Sequence, residues 1–454
     1  MGIQRIDKKS YPYLFLKQVV AFWHNRVFYK RIVILNQEKI PQNAHLIFTG
    51  NHQNALMDAL VFLNGFKGRL VFLSRSDIFR NPIIASILYF LRMLPIFRIK
   101  DGYSEVKKND MIFQKTIDVI KNKIGLVIMA EGNHGEQHRL RDLKKGFARI
   151  AFQTEEANDF QLDMKVIPVG IDYSNYQNFR TELLINFGNP IPVSDYYEVY
   201  KESPAIAINQ MKEQLSKSLI PLMVHIKSEK HYELYNQLRE IYKHEMAKKM
   251  GFPSSNQPYK LQTDQELIRQ LEVFEEKNPE QMDDFQAQVL RYQNNIQNEK
   301  LSYAMVRNKV GSSGLLFTES LLFVLASPLF ILGWLLNYIP FGLSIYIGLK
   351  MKDPQFKSSV KFVISMLVWP LFHLIETGIV WLTFSDWIIT LAFFVAMPLL
   401  GIFARWYWIC LLDFRQALRW ARLKKNKSEL YQSIRKDQRE ILNKMEAIVA
   451  QNLI

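Results

Sequence analysis

The stretch FTGNHQNALMDAL, Phe48 to Leu60, places His52 and Asp58 with five residues between them, next to a glycine and two asparagines. An imidazole titrates near neutrality and can take a proton from an alcohol, while a carboxylate fixes its tautomer and stabilises the imidazolium that forms. HLIFTG reads as a strand and NALMDALVFL as the helix after it, which puts His52 in the strand-to-helix turn. Ligands collect at that edge of an α/β sheet. Positions six apart do not share a helix face, so the two can pair only if His52 precedes the helix and folds back over it. A helix cap beside a solvated carboxylate is the plainer reading of the same residues.

Two other kinds of chemistry are tested by the same inspection. Glu131, His134 and His138 in EGNHGEQH are metal-ligand types. Their spacing matches no standard zinc motif and a Gly-rich turn pre-organises ligands poorly, so no metal is expected. No G-x-S-x-G elbow occurs, which argues against a serine hydrolase.

The blocks GNHQNALMDAL, LPIFRIKDG, MAEGNHG and VIPVGI follow one another in that order. Together they resemble the four motifs of the glycerolphosphate and 1-acylglycerolphosphate acyltransferase family, over roughly Lys30 to Pro190. The resemblance implies that His52 is the general base and Asp58 its partner. The family's usual interval is four residues; five resembles the branch that includes fungal glycerol-3-phosphate and dihydroxyacetone-phosphate acyltransferases. Arg98 corresponds to the arginine of the second block, whose planar fork suits a phosphate. The third block is usually F-P-E-G and here is Met129-Ala130-Glu131-Gly132. By resemblance Glu131 helps hold the glycerol end, Gly132 permits close backbone approach, and Pro168 shapes the site. Downstream, Arg139, Arg141, Lys144 and Lys145 offer a second phosphate cradle for the acceptor or for coenzyme A; an ordinary solvated basic patch explains them equally well.

The implied reaction moves a fatty acyl group from a thioester, acyl-coenzyme A or acyl-carrier protein, to glycerol 3-phosphate, directly and without cofactor or metal. The alternative acceptor is 1-acylglycerol 3-phosphate or another lysolipid. From a different class, a non-catalytic lipid-binding membrane protein is favoured by the five-residue interval and Ala130.

These residues need an α/β scaffold. AHLIFTG, RLVFLSR, IGLVIMAEG, MKVIPVGID and ELLINFGNPI are short and β-rich, with helical stretches at Ile83–Leu94, Val106–Asn122 and Lys144–Glu156 between most of them. That order predicts an α/β domain with a largely parallel sheet over 34–250, which the resemblance implies is an acyltransferase domain. Before it, residues 1–33 include Leu14–Val33, which reads as a basic amphipathic helix lying on a membrane surface or as a helix packed on the domain. After it come a linker and charged helices (251–310), transmembrane helical hairpins (311–412) and a basic C-terminal helix (413–454).

Composition supports the division. Of 454 residues, 48% are hydrophobic and 22% charged, which fits a soluble domain joined to a membrane-embedded one. The net charge of +15 comes with no nucleic-acid module, so a membrane surface and anionic substrates are the expected partners. Cys410 is the only cysteine, which excludes an intramolecular disulfide and a cysteine metal cage. Lys17 and Gln18 interrupt the first apolar stretch, so it does not read as a cleaved signal. Leu315–Leu349, Phe362–Phe384 and Trp387–Ala404 are apolar runs near or above the length that spans a bilayer. Lys300, Arg307 and Lys309 precede them, Lys350, Lys352, Lys357 and Lys361 follow the first, and a basic run from Arg405 follows the third. The positive-inside rule then puts all three clusters, and the catalytic domain, on the cytoplasmic face. The expected topology is two hairpins, turning near Asn337–Pro340 and at Ser385-Asp386. The oligomeric state is left open.

Overall fold

The computed structural model describes residues 6–97, 109–133, 135, 137–253, 257–307, 313–426 and 428–451. The chain forms two compact units, Met1–His225 with Met351–Phe362, and Ile226–Lys350 with Val363–Ile454.

The first unit opens with helix α1 (Tyr11–Phe22) and a π-helical turn, Trp23–Phe28, that leads into β1 (Tyr29–Leu35). The single helix expected over Leu14–Val33 is therefore corrected. The β-branched run Ile32-Val33-Ile34 pairs in parallel with Leu183–Ile185, and that ladder outweighs the helical period. Next come β2 (Leu46–Gly50), α2 (Ala55–Gly65), β3 (Leu70–Arg75), α3 (Pro82–Phe90) and β4 (Met93–Ile96). Here too the expected helix Ile83–Leu94 ends early, because Arg92 takes φ +61 and Met93–Ile96 pairs with Phe72–Arg75 of β3. The unit continues through α4 (Asn109–Lys121), β5 (Gly125–Val127), α5 (Gly146–Glu156), β6 (Lys165–Tyr173), β7 (Thr181–Phe187), β8 (Ile191–Pro192), α6 (Tyr197–Glu202) and α7 (Pro204–Leu219).

The strands make one sheet in the order β1-β7-β6-β2-β5-β3-β4, with β8 on β6. It is largely parallel, as the alternation of strands and helices implies; only β6 meets its partners β7 and β8 antiparallel. β2 is central and every one of its residues is buried, so its sequence reads as a continuous apolar run ending in Thr49-Gly50. Against the sheet, Val119 and Ile120 of α4, Phe147 and Ala151 of α5, and Met211 and Leu215 of α7 complete the core with Ile47, Leu126 and Val166.

The second unit is helical: α8 (Tyr232–Lys249), α9 (Gln257–Lys277), α10 (Pro279–Asn298), α11 (Tyr303–Arg307), α12 (Ser313–Leu349), α13 (Lys357–Phe384, this unit from Val363), α14 (Trp387–Lys425) and α15 (Glu429–Gln451). Among the described residues three helical stretches, Thr318–Leu349, Pro354–Phe384 and Trp387–Lys425, are long and apolar enough to cross a bilayer, with mean hydropathy 1.9, 1.7 and 2.3. The turn expected at Asn337–Pro340 is corrected: α12 is helical throughout, with Pro328 and Pro340 inside it. In apolar surroundings unpaired backbone groups are costly, which keeps the chain helical across the prolines. Asn337 is buried in the helix, donating to the Gly333 carbonyl at 3.0 Å and accepting from Trp369 Nε1 at 2.8 Å.

Candidate active site

The site forms where β2 ends. Asn51 exchanges two hydrogen bonds with the backbone of Ile171 in β6 (2.9 and 2.7 Å), which ties the turn after β2 to the neighbouring strand. The chain reaches α2 through Ala55, whose φ of +42 is a left-handed excursion unusual for a residue with a Cβ. That bend lets His52 fold back over the helix. Its Nδ1 lies 2.8 Å from Asp58 Oδ2.

Asp58 is fully buried in the first turn of α2. Its Oδ2 accepts from the backbone N–H of Gln53 at 2.8 Å and of Asn54 at 2.6 Å, and Tyr173 Oη donates to Oδ1 at 2.6 Å. Burial, with the Asp58 charge adding to it, pushes the Tyr173 phenol well above its usual range, so it stays protonated as a donor. A buried carboxylate surrounded in this way holds its orientation. With Asp58 as the acceptor, Nδ1 of His52 carries the proton and Nε2 the lone pair. The imidazole is 16% exposed, enough to meet an incoming hydroxyl.

Glu131 holds the His52 backbone. Its Oε1 accepts the His52 N–H at 3.0 Å and its Oε2 accepts Arg141 Nε at 2.6 Å. Burial pushes the Glu131 carboxyl up, and Arg141 and the His52 N–H pull against that rise. Arg141 also donates to the carbonyls of Asn133 and of His52, the latter at 3.4 Å, so its guanidinium clamps the Glu131 loop to the His52 turn. Gly132 has φ +69, and a Cβ there would stand 3.0 Å from Lys144 Cγ, so both conformation and space favour glycine.

The remaining predicted residues are spread more widely. Lys144 is largely exposed beside Asp142, Lys145 is exposed at the start of α5, and Arg139 is half-buried. Arg98 and His134 lie outside the described residues. Of the residues weighed as metal ligands, Glu131 is on Arg141, and His138 Nδ1 is 3.2 Å from Tyr176 Oη.

Sequence inspection missed Tyr173 and Tyr176. Tyr176 Oη donates to Gln53 Oε1 at 2.6 Å, and Asn54 Nδ2 donates to its carbonyl at 3.1 Å. Tyr173 closes the strand that carries the fourth block, and its alternation with Ile171 was the one available signal.

A His–Asp pair with its carboxylate fully buried thus sits in the strand-to-helix turn of a mostly parallel sheet, with a Glu-Gly turn against it. Residues 31–172 match the Acyltransferase family model. Among curated relatives it is similar to glycerol-3-phosphate O-acyltransferase 2 of Saccharomyces cerevisiae, 30% identical over 118 residues. That match covers 26% of this chain and only 16% of the yeast protein. It is also similar to 1-acyl-sn-glycerol-3-phosphate acyltransferase of Borreliella burgdorferi, 23% identical over 190 residues, 42% of this chain and 68% of the relative. The solved 1-acyl-sn-glycerophosphate acyltransferase of Thermotoga maritima is 17% identical and matches with a TM-score of 0.31, over 47% of this chain and 78% of that one.

Proposed function

We propose that this protein transfers a fatty acyl group from a thioester donor to the hydroxyl of glycerol 3-phosphate at a membrane surface, in phospholipid synthesis. The carrying observation is the 2.8 Å pairing of His52 Nδ1 with a fully buried Asp58. His52 Nε2 takes the proton of the acceptor hydroxyl as its oxygen attacks the thioester carbonyl. The tetrahedral intermediate collapses, the C–S bond breaks, and the leaving thiolate receives the proton from the imidazolium. Asp58 keeps the ring in the correct tautomer and stabilises its positive charge. The thioester itself carries the activation, so the reaction calls for no cofactor. By resemblance Arg98 grips the acceptor's phosphate, assisted by the basic residues from Arg139 to Lys145.

The five-residue interval and the similarity to the yeast glycerol-3-phosphate O-acyltransferase support this acceptor. The similarity to the Borreliella enzyme supports a second reading, transfer to 1-acylglycerol 3-phosphate. Three apolar helices suit an enzyme whose donor chain and product both partition into lipid, and the basic clusters around them favour a cytoplasmic catalytic domain. The test is an acceptor screen with acyl-coenzyme A and acyl-carrier protein, followed by mass analysis of the product. Glycerol 3-phosphate is expected to give the higher kcat/KM; a strong reverse preference moves the assignment to the lysolipid. His52→Ala is expected to lose about 10²–10⁴ in rate while staying folded.

A further inference from the structure

Helix α2, which carries Asp58, is not capped by its own N-cap residue. Asn54 occupies that position, yet its side chain makes no capping bond. Its Nδ2 is turned to the Tyr176 carbonyl, and its Oδ1 accepts from Ser358 Oγ. The N–H of Leu56, one of the unpaired donors of the first turn, is taken instead by Ser359 Oγ at 3.2 Å. Both serines come from about 300 residues further along the chain, in the segment 351–362, where they stand in the first turn of α13.

That segment is built into the first unit. Ser358, Ser359, Lys361 and Phe362 are all buried there, at 0, 5, 7 and 1% exposure. Lys361 Nζ donates to the carbonyl of Gln177 at 3.0 Å, in the loop that carries Tyr176. The Phe362 ring packs edge-on against Phe28 with centroids 5.5 Å apart. The bend that these contacts grip is the left-handed step at Ala55, directly between His52 and Asp58. A backbone in a sparsely populated region persists only where its surroundings over-determine it. On one side Asp58 binds the N–H groups of Gln53 and Asn54; on the other the two serines hold Asn54 and Leu56.

We infer that Ser358 and Ser359 are positioning residues for acyl transfer, holding the turn from Asn54 to Leu56 so that His52 and Asp58 stay paired. The inference rests on the acyltransferase reading. It makes the catalytic geometry depend on residues about 300 positions away in the chain, in the segment 351–362 of the first unit.

Full-length protein in lipid nanodiscs tests it with Ser358→Ala, Ser359→Ala, the double variant, Ser359→Thr and His52→Ala. Loss of both hydroxyls is expected to lower kcat roughly tenfold with both KM values nearly unchanged, and Ser359→Thr, which keeps the hydroxyl, is expected to retain activity. A folded double variant with wild-type kcat overturns the inference, as does a Ser359→Thr variant no more active than Ser359→Ala. If the double variant does not fold, the Ala and Thr variants at 359 decide alone. Transfer by His52→Ala at the wild-type rate instead removes the catalytic reading itself, so the two failures are separate.

Discussion

Tyr173 Oη sits 2.6 Å from Asp58 Oδ1, on the carboxylate oxygen turned away from His52. The phenol therefore holds one side of a carboxylate whose other oxygen serves the imidazole. Tyr173→Phe leaves the site's shape intact and removes that donor from a fully buried acceptor. A buried acceptor left without its donor costs about 1–3 kcal/mol. Part of that loss is expected to appear as a fall of roughly tenfold in kcat, with acceptor KM unchanged. Steady-state kinetics decide it, and an unaltered kcat would show that the backbone N–H groups of Gln53 and Asn54 orient Asp58 unaided.

Arg141 offers a different test, because its guanidinium is bound to Glu131 and to loop carbonyls. Arg141→Met strands a carboxylate that is 1% exposed, and breaking such a pair costs on the order of 3 kcal/mol. In the variant the Glu131 carboxyl rises further above its ordinary 4.5. The destabilisation is then absent below about that pH, grows as pH rises from there toward the raised value, and is complete above it. Adding Glu131→Gln is expected to restore much of the thermal midpoint at neutral pH. If the double variant is no more stable than Arg141→Met, the clamp is not electrostatic.

His24 predicts an acid-labile first unit. It is fully buried, and burial pushes its imidazole down to about 4 from an ordinary 6.5. A depressed histidine leaves stability whole above 6.5, and protonation of the unfolded chain removes it as pH falls toward 4. The expected loss is roughly 3 kcal/mol over that window. Thermal midpoints measured from pH 7 to 4 should flatten in His24→Gln; an unchanged slope would assign the acid sensitivity to other groups.

The topology follows from contacts within the helical unit. α10 precedes the three apolar helices and α15 follows them, yet Arg291 Nη2 and Asp437 Oδ1 are 2.8 Å apart. Ser302 N–H donates to Gln416 Oε1 at 2.8 Å, and Tyr407 Oη to the Phe323 carbonyl at 2.9 Å, which aligns the start of α12 with the end of α14. In a bilayer both ends of this helical unit are therefore expected on one side. α13 and α14 are joined by a short turn at Ser385-Asp386, so together they return the chain to the side on which α13 begins. With Cys410 replaced, single cysteines at 357, 385 and 425 are expected to react with an impermeant reagent from outside only at 385. Outside labelling at 357 would defeat the scheme.

Much of the site was legible because its signals are local. Short apolar, β-rich runs bounded by Gly, Asn and Pro mark β2 and β6 wherever they pack, and the four ordered blocks carry the acyltransferase resemblance without any contact being known. The apolar runs declare themselves through length alone. What the tertiary structure decided is long-range pairing. Tyr29–Leu35 became a strand because Thr181–Phe187 lay beside it, and Pro340 stayed helical because its surroundings offered the backbone no other partner. Tyr173 reaches Asp58 across 115 positions, and Ser359 reaches Leu56 across 303. A tyrosine at a strand end or a serine before a helix has no local mark of such a partner. Only the order of strands in the sheet, and the return of the chain after α12, bring the donors to those acceptors.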